Sequence, residues 1–260
     1  MLITDKEKYI NSLVTLWEKV FGDSEDYIRL YFKEAYYDGE CFAEIVDDVV
    51  LSAFYLLKCS IKCQGKIYYG RYLYAAATLP EYRGNGLMPK LIREAESYCK
   101  NEKLDFIALV PAEDWLYDYY SKFGFKESMY KYKHCIDKNC ATMMAYREIT
   151  DSDEFNRKRN SVNSDMLVYN EVSNRYAFEC MSFIGTRLFD LGENSYYAED
   201  EELLCADNET AIKLINNLCG ESVIYTNCEV SSSEKIRNGM ILSLKDDLKF
   251  KDIYMNIALD

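Results

Sequence analysis

The feature that most constrains the fold is the joint TLPEYRGNGLMPKLI at residues 78–92. The segment before it, KIYYGRYLYAAATL, is rich in aromatic and aliphatic residues and predicts a strand. After the two glycines, Leu87, Leu91 and Ile92 recur at helical spacing, so a helix is predicted to begin there. A chain with such a strand, glycine turn and helix must pack the helix against a sheet.

The surrounding segments predict a mixed sheet rather than a doubly wound fold. Two amphipathic helical segments open the chain, and an antiparallel meander of three strands follows, with turns at Asp47-Asp48 and Gln64-Gly65. After the glycine joint come a helix, the apolar strand LDFIALV, a helix that Gly124 ends, and a closing strand. A doubly wound fold would alternate strand and helix from the start. We therefore predict an α/β fold of the mixed α+β kind, parallel only around the glycine joint.

The glycine joint predicts an anion site. Backbone N–H groups at the start of a helix lack intrahelical partners and lie at the positive end of the helix dipole, which attracts phosphate. Gly84 and Gly86 carry no Cβ, so oxygens can approach the amides, and Arg83 adds charge. A Walker loop needs Gly-Lys-Ser/Thr, and a dinucleotide fingerprint needs a glycine where this chain has Pro89. On spacing alone, a plain surface turn remains the alternative.

Two motifs resemble those of one known family. PEYRGNGLM resembles motif A of the GCN5-related N-acetyltransferases (GNAT), whose pattern is Arg/Gln-x-x-Gly-x-Gly/Ala. Met88 departs from this pattern, because a small residue is usual there. YYSKFGF at residues 119–125 is similar to the family's Tyr-x-x-x-Gly-Phe, and the order of elements agrees. LWEKVFGDSEDYIRLYF near the start is similar to the branch related to the enhanced intracellular survival (Eis) acetyltransferases.

The resemblance implies two domains. It covers roughly residues 1–135, so residues 1–138 are predicted to form a GNAT acetyltransferase domain. Residues 139–260 have only a loose likeness to the degenerate second GNAT-like α/β domain of the same branch. In this second half, YAFECMSFIG, SYYAED and ELLCAD are interpreted as strands, and NETAIKLINNLCG is interpreted as a helix.

The resemblance also implies that acetyl-CoA is the cosubstrate. Its pantetheine would pair with the backbone of the strand before the turn, at Ala76, Ala77 and Thr78. An amine would attack the thioester directly, without a covalent enzyme intermediate, while a backbone N–H polarises the carbonyl. The pyrophosphate would lie on the backbone amides of six consecutive residues: Arg83, Gly84, Asn85, Gly86, Leu87 and Met88.

Two catalytic residues are implied by the same resemblance. Tyr120 matches the family tyrosine that protonates the sulfur of the departing CoA, although other tyrosines lie on the same predicted helix. The carboxylates of Asp260 are the candidate base, since in the related branch the C-terminal carboxylate enters the active site. Glu113 and Asp114 are alternatives because they follow the buried strand, and capping of the next helix is the other interpretation of these two residues.

The charge balance argues against one class of partner and favours another. Residues 1–140 carry 19 basic and 22 acidic residues, whereas residues 141–260 carry 12 and 22. Nucleic acid is disfavoured, because phosphate contacts need basic clusters. The acidic second half favours a small cationic amine as acceptor, and its alternative role is to keep the chain soluble.

Cysteine usage and apolar patterns predict a cytoplasmic protein without a metal site or a membrane span. The ten cysteines occur without an export signal, which favours reduced thiols used as small apolar residues. His134 is the only histidine, which argues against zinc and against a histidine-containing triad. The longest apolar runs are too short to cross a bilayer. A homo-oligomer stays open, because the 24 tyrosines could include an interface.

Three functions remain at this point. An acetyl-CoA-dependent N-acetyltransferase acting on a primary amine is favoured by the two motifs. A non-catalytic acyl-CoA-binding regulatory module would keep the glycine turn without needing Tyr120 as an acid. A transferase that uses aminoacyl-tRNA is disfavoured, since its partner would require a basic groove.

Overall fold

The structure is a computed structural model that describes residues 1–138, 146–162, 164–192, 194–199, 201–215, 220–230 and 233–255. The helices in these residues are α1 (Ile10–Phe21), α2 (Glu25–Glu34), α3 (Leu87–Asn101), α4 (Asp114–Ser121), α5 (Ser152–Ser161), α6 (Glu171–Ile184) and α7 (Asn208–Ile215). The strands are β1 (Glu40–Val46), β2 (Val49–Cys63), β3 (Lys66–Thr78), β4 (Phe106–Leu109), β5 (Lys126–Lys138), β6 (Arg147–Glu148), β7 (Met166–Tyr169), β8 (Leu188–Asp190), β9 (Tyr196–Ala198), β10 (Glu202–Leu204), β11 (Gly220–Thr226), β12 (Glu234–Ser243) and β13 (Ile253–Tyr254).

The strands of both halves belong to one mixed sheet. Within residues 1–138 the meander β1–β2–β3 is antiparallel, whereas β3 and β4 are parallel. The predicted fold class, with a sheet that becomes parallel around the glycine joint, is confirmed. From the second half, β7 pairs with β2, and β12 pairs with both β4 and β5. The two halves thus share one framework, and a domain boundary between residues 138 and 139 stays a prediction.

β3 and β4 separate as they approach the glycine joint. Their pairing covers residues 70–72 and 106–108, and β3 then continues to Thr78 without β4 beside it. Ala75 has a left-handed φ of 48°, and the register of β3 against β2 shifts at the same place. Such a bulge bends the strand that carries it. A V-shaped opening therefore lies between two parallel strands.

Helices cover both faces of this part of the sheet. On one face, α1, α2 and α6 contribute to a buried cluster that contains Trp17 and Tyr74. On the other face, α3 and α4 contribute to a second buried cluster that contains Leu73 and Leu91. Neighbouring residues of a strand point to opposite faces, so consecutive residues of β3 reach both clusters. The V-shaped opening therefore connects the two faces of the sheet.

Aromatic side chains fill the face that α1, α2 and α6 cover. The ring centroids of Tyr31 and Tyr74 lie 5.5 Å apart, and Tyr31 also contacts Trp17 and Tyr176. Tyr31 is completely buried, and its hydroxyl has no hydrogen-bond partner among the described residues. A buried hydroxyl without a partner costs about 1–3 kcal/mol.

We expect Tyr31→Phe to raise the free energy of unfolding by about 1 kcal/mol, because it removes the unpaired hydroxyl and keeps the ring. Urea denaturation followed by circular dichroism measures this difference. Tyr176→Phe is the matched control, since the Tyr176 hydroxyl lies 2.9 Å from that of Tyr74 and its removal should lower the stability. A Tyr31→Phe variant less stable than the parent protein would contradict the prediction.

One segment of the second half departs from its predicted structure. YAFECMSFIG was interpreted as a strand but belongs to α6, so this prediction was wrong. The helix is buried on more than one side: Cys180 joins the first cluster, whereas Met181 joins a third one. Its apolar residues therefore run on without clear helical spacing. Residues typical of helix caps do stand at both ends of α6. At its start the Asn170 side chain accepts a hydrogen bond from the Ser173 backbone N–H at 3.0 Å. At its end Gly185 has a φ of 85°.

The other predicted elements of the second half are confirmed where the structure describes them. SYYAED and ELLCAD contain β9 and β10, and NETAIKLINNLCG contains α7. Residues 216–219 of that last segment lie outside the described residues. A buried group of polar side chains joins β10 to α5 and β13. Arg159 of α5 donates to the Glu202 carboxylate of β10 at 2.7 Å, and the Tyr254 hydroxyl of β13 donates to the same carboxylate at 2.7 Å.

Candidate active site

The glycine turn presents free backbone donors at the start of α3. Gly84 and Gly86 have φ angles of 78° and 75°, in the left-handed region that favours glycine. Among the described residues, no backbone or side-chain acceptor binds the amides of residues 84–88. A Cβ at either glycine would meet no protein atom within 4 Å, so space for a ligand lies directly above the turn. The residues predicted to bind pyrophosphate thus lie together, and their role stays a prediction.

The side chains of the turn brace its backbone. Arg83 Nε donates to the Thr78 carbonyl oxygen at 3.1 Å, and Asn85 Nδ2 donates to the Tyr82 carbonyl oxygen at 3.2 Å. Both side chains are exposed beside the free amides. Met88, which stands where a small residue is usual, is half-buried and packs against the cluster under α3 and α4. Met88, the residue that departs from the family pattern, is therefore accommodated by apolar contacts beneath the turn.

A cleft of about 190 Å³ passes through the V-shaped opening. Residues 72–76 of β3 form one wall, and residues 109–112, which begin with the last residue of β4, form the facing wall. On the α4 side the cleft is lined by Leu116 and Tyr120. On the α1 side it is lined by three further residues, Trp17, Phe21 and Asp23. The opening between the strands thus connects a side chain of α4 with the corner between α1 and α2.

Tyr120 lies in the wall of this cleft, as a catalytic acid would. Only 7% of the residue is exposed, and its ring packs edge-on against Phe125 at 5.8 Å. Burial raises the pKa of the Tyr120 phenol above its ordinary value, so the hydroxyl keeps its proton at neutral pH. Tyr119 is half-buried beside it, and Tyr117 packs against the Arg237 guanidinium at 4.1 Å. Of the three tyrosines of α4, Tyr120 is the one that lines the cleft.

The three residues predicted to pair with pantetheine lie at the end of β3 but differ in their surroundings. Ala76 lines the cleft. Ala77 is buried, and its carbonyl oxygen accepts from the Ser52 hydroxyl at 3.1 Å. The Thr78 carbonyl oxygen already accepts from Arg83. Ala76 is therefore the member of this group best placed to meet a ligand, together with its neighbour Ala75.

Asp23 is a site residue that the sequence did not reveal. An aspartate directly before a helix is most often its cap, but α2 is capped by the Ser24 hydroxyl, which accepts from the Tyr27 backbone N–H at 3.3 Å. Asp23 is half-buried and accepts a hydrogen bond from Trp17 Nε1 at 2.8 Å. It is the one charged side chain among the described residues that line the cleft. Its position depends on the left-handed Gly22, which turns the chain after α1.

The structure describes only two of the three candidate bases, and it places both outside the cleft. Asp260 lies outside the described residues, so its role stays a prediction. Glu113 occupies the N-cap position of α4, as the alternative interpretation placed it, but its side chain makes no capping hydrogen bond. That side chain accepts a hydrogen bond from Trp115 Nε1 at 2.7 Å. Asp114 pairs with Arg237 at 2.9 Å and is almost fully exposed. Neither Glu113 nor Asp114 lines the cleft.

Neither a metal-ligand cluster nor a membrane-spanning helix occurs among the described residues. In the part of the chain that the structure describes, no three histidine, cysteine, aspartate or glutamate residues are grouped as metal ligands would be. No helix in that same part has the length and apolar character that a membrane crossing requires.

The glycine turn, the V-shaped opening and Tyr120 all lie within one stretch of the chain that matches a known domain. Residues 3–128 match the sequence model of the acetyltransferase (GNAT) domain. This part of the chain is a GNAT acetyltransferase domain, and the superfamily predicted from the two motifs is confirmed. No curated protein matches the chain.

Three solved structures show how far the fold extends. Eis1 from Mycobacterium abscessus aligns over 94% of this chain and 74% of its own, with a TM-score of 0.68 and 7% identity. A GCN5-related N-acetyltransferase from Kribbella flavida aligns over 94% and 72%, with a TM-score of 0.63 and 15% identity. A protein from Pyrococcus horikoshii aligns over 99% and 94%, with a TM-score of 0.61 and 16% identity. Nearly the whole chain therefore shares the fold of Eis1, as the resemblance implied.

Proposed function

We propose that this protein transfers the acetyl group of acetyl-CoA to the primary amine of a small cationic acceptor. The observation that carries the proposal is the cleft, which is lined by Tyr120 on the α4 side and by Asp23 on the α1 side. A thioester and an amine can therefore approach each other from opposite faces of the sheet. Holding two reactants in such a position removes most of the entropic cost of their encounter.

The donor side of the cleft suits acetyl-CoA. The free amides of residues 84–88 offer the pyrophosphate several donors at the positive end of α3. Beyond Tyr72, the edge of β3 that faced β4 is open, so the pantetheine can add to it like a strand. The small side chains of Ala75 and Ala76 leave room for it in the cleft wall.

The acceptor side suits an amine that carries a positive charge. The rings of Trp17, Tyr72 and Tyr74 surround this part of the cleft, and Asp23 is the one carboxylate among the described residues that line it. An ammonium group gains from a carboxylate and from the faces of aromatic rings. A compact amine with a short apolar or aromatic body therefore fits better than a long polycation.

The reaction follows from this placement. The nitrogen lone pair attacks the thioester carbon, the carbon–sulfur bond breaks, and the sulfur takes the Tyr120 proton as the thiolate leaves. The reacting nitrogen arrives as an ammonium, so it loses one proton to solvent before its lone pair can attack. It loses a second proton after the attack, which leaves the amide product neutral. Tyr120 regains its proton from solvent after CoA has left.

Acetyl transfer to a panel of amines tests the proposal. Phenethylamine, tryptamine, putrescine and spermidine are incubated with acetyl-CoA and the protein, and free CoA thiol is measured with and without each amine. We expect amine-dependent release of CoA and an acetylated product by mass spectrometry. Tight CoA binding by calorimetry, with no transfer to any of these amines, would instead favour a non-catalytic acyl-CoA-binding module.

We expect Asp23→Asn to raise the KM for the best amine of this panel about 10-fold, which corresponds to about 1.4 kcal/mol. The change removes the charge that holds the ammonium and keeps an oxygen for the hydrogen bond from Trp17. Steady-state kinetics with saturating acetyl-CoA measure it. Asp26→Asn is the control, because Asp26 is exposed on α2 and does not line the cleft. Equal effects of the two changes would show that Asp23 does not contact the amine.

A further inference from the structure

We propose that the second half of the chain sets the amine specificity of the cleft, because its β7 and α6 hold two tyrosine rings of the cleft wall in place. The inference rests on the proposed function and deepens it. It assigns a positioning task to two residues, Tyr169 and Tyr176, which lie beyond the GNAT domain match and do not line the cleft themselves.

Two neighbouring tyrosines of β3 form the aromatic wall on the acceptor side of the cleft. Tyr72 and Tyr74 are two residues apart on the strand, so both rings point to the face covered by α1, α2 and α6. Trp17 completes this wall, and its ring meets that of Tyr74 edge to face with centroids 5.4 Å apart. The positions of these three rings therefore set the shape of the space that receives the body of the amine.

Each of the two β3 tyrosines contacts a tyrosine of the second half. Tyr72 packs edge-on against Tyr169 of β7, with ring centroids 5.4 Å apart. Tyr74 packs against Tyr176 of α6 at 6.1 Å, and their hydroxyl oxygens lie 2.9 Å apart in a hydrogen bond. Tyr169 and Tyr176 are both buried. A layer from the second half therefore lies directly behind the aromatic wall.

The hydrogen bond between the two hydroxyls fixes the Tyr74 ring. It is the one hydrogen bond that the Tyr74 hydroxyl makes among the described residues, and only 4% of Tyr74 is exposed. Burial raises the pKa of Tyr74 and of Tyr176 well above the ordinary value, so both hydroxyls keep their protons at neutral pH. The pairing of β3 with β4 has already ended at Tyr72, and the bulge at Ala75 follows. Side-chain contacts therefore hold this ring where strand pairing on one side is missing.

Loss of this hydrogen bond would move the Tyr74 ring toward the cleft. A buried hydroxyl without a partner is unfavourable, so it turns toward water where space allows. The rings of Trp17, Tyr31 and Tyr176 pack against Tyr74, and the cleft is the open space that Tyr74 lines. A ring displaced into the cleft would take the space of an aromatic amine body, whereas a thin aliphatic amine would still enter.

We expect Tyr176→Phe to lower the ratio of kcat/KM for phenethylamine to kcat/KM for putrescine about 10-fold, mainly by raising the KM for phenethylamine. The KM for acetyl-CoA should not change, because the glycine turn is not altered. Steady-state kinetics with each amine measure the ratio, and calorimetry with CoA shows for each variant that the fold and the donor site are intact.

A second substitution separates this positioning role from a general loss of packing. In the double variant Tyr74→Phe/Tyr176→Phe, the ring at position 74 has no hydroxyl to bring to water, so the ratio should return close to the parent value. Loosened packing alone would make the double variant at least as impaired as Tyr176→Phe. Tyr31→Phe is the matched control, because Tyr31 packs against both rings and its hydroxyl has no partner among the described residues. Its ratio should equal that of the parent protein.

The contact between Tyr72 and Tyr169 gives an independent test. Tyr169→Leu removes the ring behind Tyr72, so Tyr72 can lean away from the amine and the ratio should again fall. If Tyr176→Phe does not fold, the ratio of Tyr169→Leu decides. An unchanged ratio in every variant that folds would overturn the inference.

The outcomes separate this inference from the proposed function. If the parent protein acetylates phenethylamine and the variants keep its ratio, the function stands and the inference is wrong. A parent protein that acetylates putrescine but not phenethylamine also overturns the inference alone. If the parent protein acetylates no amine of the panel, the proposed function fails, and calorimetry with phenethylamine decides the inference. Weaker binding to Tyr176→Phe than to the parent protein then supports it, whereas equal binding or no binding overturns it.

Discussion

Replacing Gly86 with valine is expected to weaken CoA binding about 100-fold. Gly86 has a φ of 75° immediately before α3, a conformation that a β-branched residue strongly disfavours. The turn would then rearrange, and at least one of its hydrogen bonds to the pyrophosphate would be lost. A hydrogen bond to a charged group contributes about 1.5–3 kcal/mol, and a 100-fold change corresponds to about 2.8 kcal/mol. Isothermal titration calorimetry with CoA measures the difference.

Gly65→Val is the matched control for this experiment. Gly65 has a φ of 72° in the turn between β2 and β3, and a Cβ there also meets no protein atom within 4 Å. The two substitutions therefore cause a similar backbone strain of about 1–3 kcal/mol, and only the one at Gly86 lies in the glycine turn. Equal loss of CoA affinity in both variants, or none at Gly86, would place the pyrophosphate elsewhere.

Tyr120→Phe is expected to lower kcat about 100-fold with little change in the KM for acetyl-CoA. General acid catalysis contributes about 10²–10⁴-fold, and removing the hydroxyl forces the thiolate to leave without a proton. The aromatic ring stays, so its packing against Phe125 and the shape of the cleft are kept. Steady-state kinetics with the best amine of the panel measure both constants.

The neighbouring tyrosine provides the control for Tyr120. Tyr119 is half-buried on the same helix and does not line the cleft, so Tyr119→Phe should leave kcat unchanged. The pH profile is a second test. Because burial raises the pKa of Tyr120 above 10.0, its acid form persists, and kcat should not decline through ionisation of this group below about pH 9. A kcat unchanged by Tyr120→Phe would assign proton donation to another group.

The fold of the first half was predictable because its signals are local. Gly22 ends α1, and Gly124 has a left-handed φ three residues after the end of α4. Asp47-Asp48 and Gln64-Gly65 form the hairpin turns, as expected of these residue types. The buried strand β4 is short and apolar throughout. In contrast, α6 was misread because its burial on several sides depends on α2 and on strands far away in the chain.

The candidate site was predictable only in part. The turn from Arg83 to Met88 is one continuous segment, so its residues were found together and the structure keeps them together. Asp23 carried no comparable signal, since an aspartate before a helix is most often a cap. Its position in the cleft follows from its hydrogen bond with Trp17 and from the separation of β3 and β4, which no local pattern encodes.

What the sequence determined by itself is the glycine turn, the order of elements around it and the superfamily, because each depends on neighbours within about one helical turn or one hairpin. What only the tertiary structure decided is the cleft. The bulge at Ala75 bends β3, the end of the β3–β4 pairing opens the sheet, and α6 brings Tyr176 against Tyr74. These contacts join residues that lie tens to more than a hundred positions apart, and their energies depend on packing between whole elements rather than on the preferences of single residues.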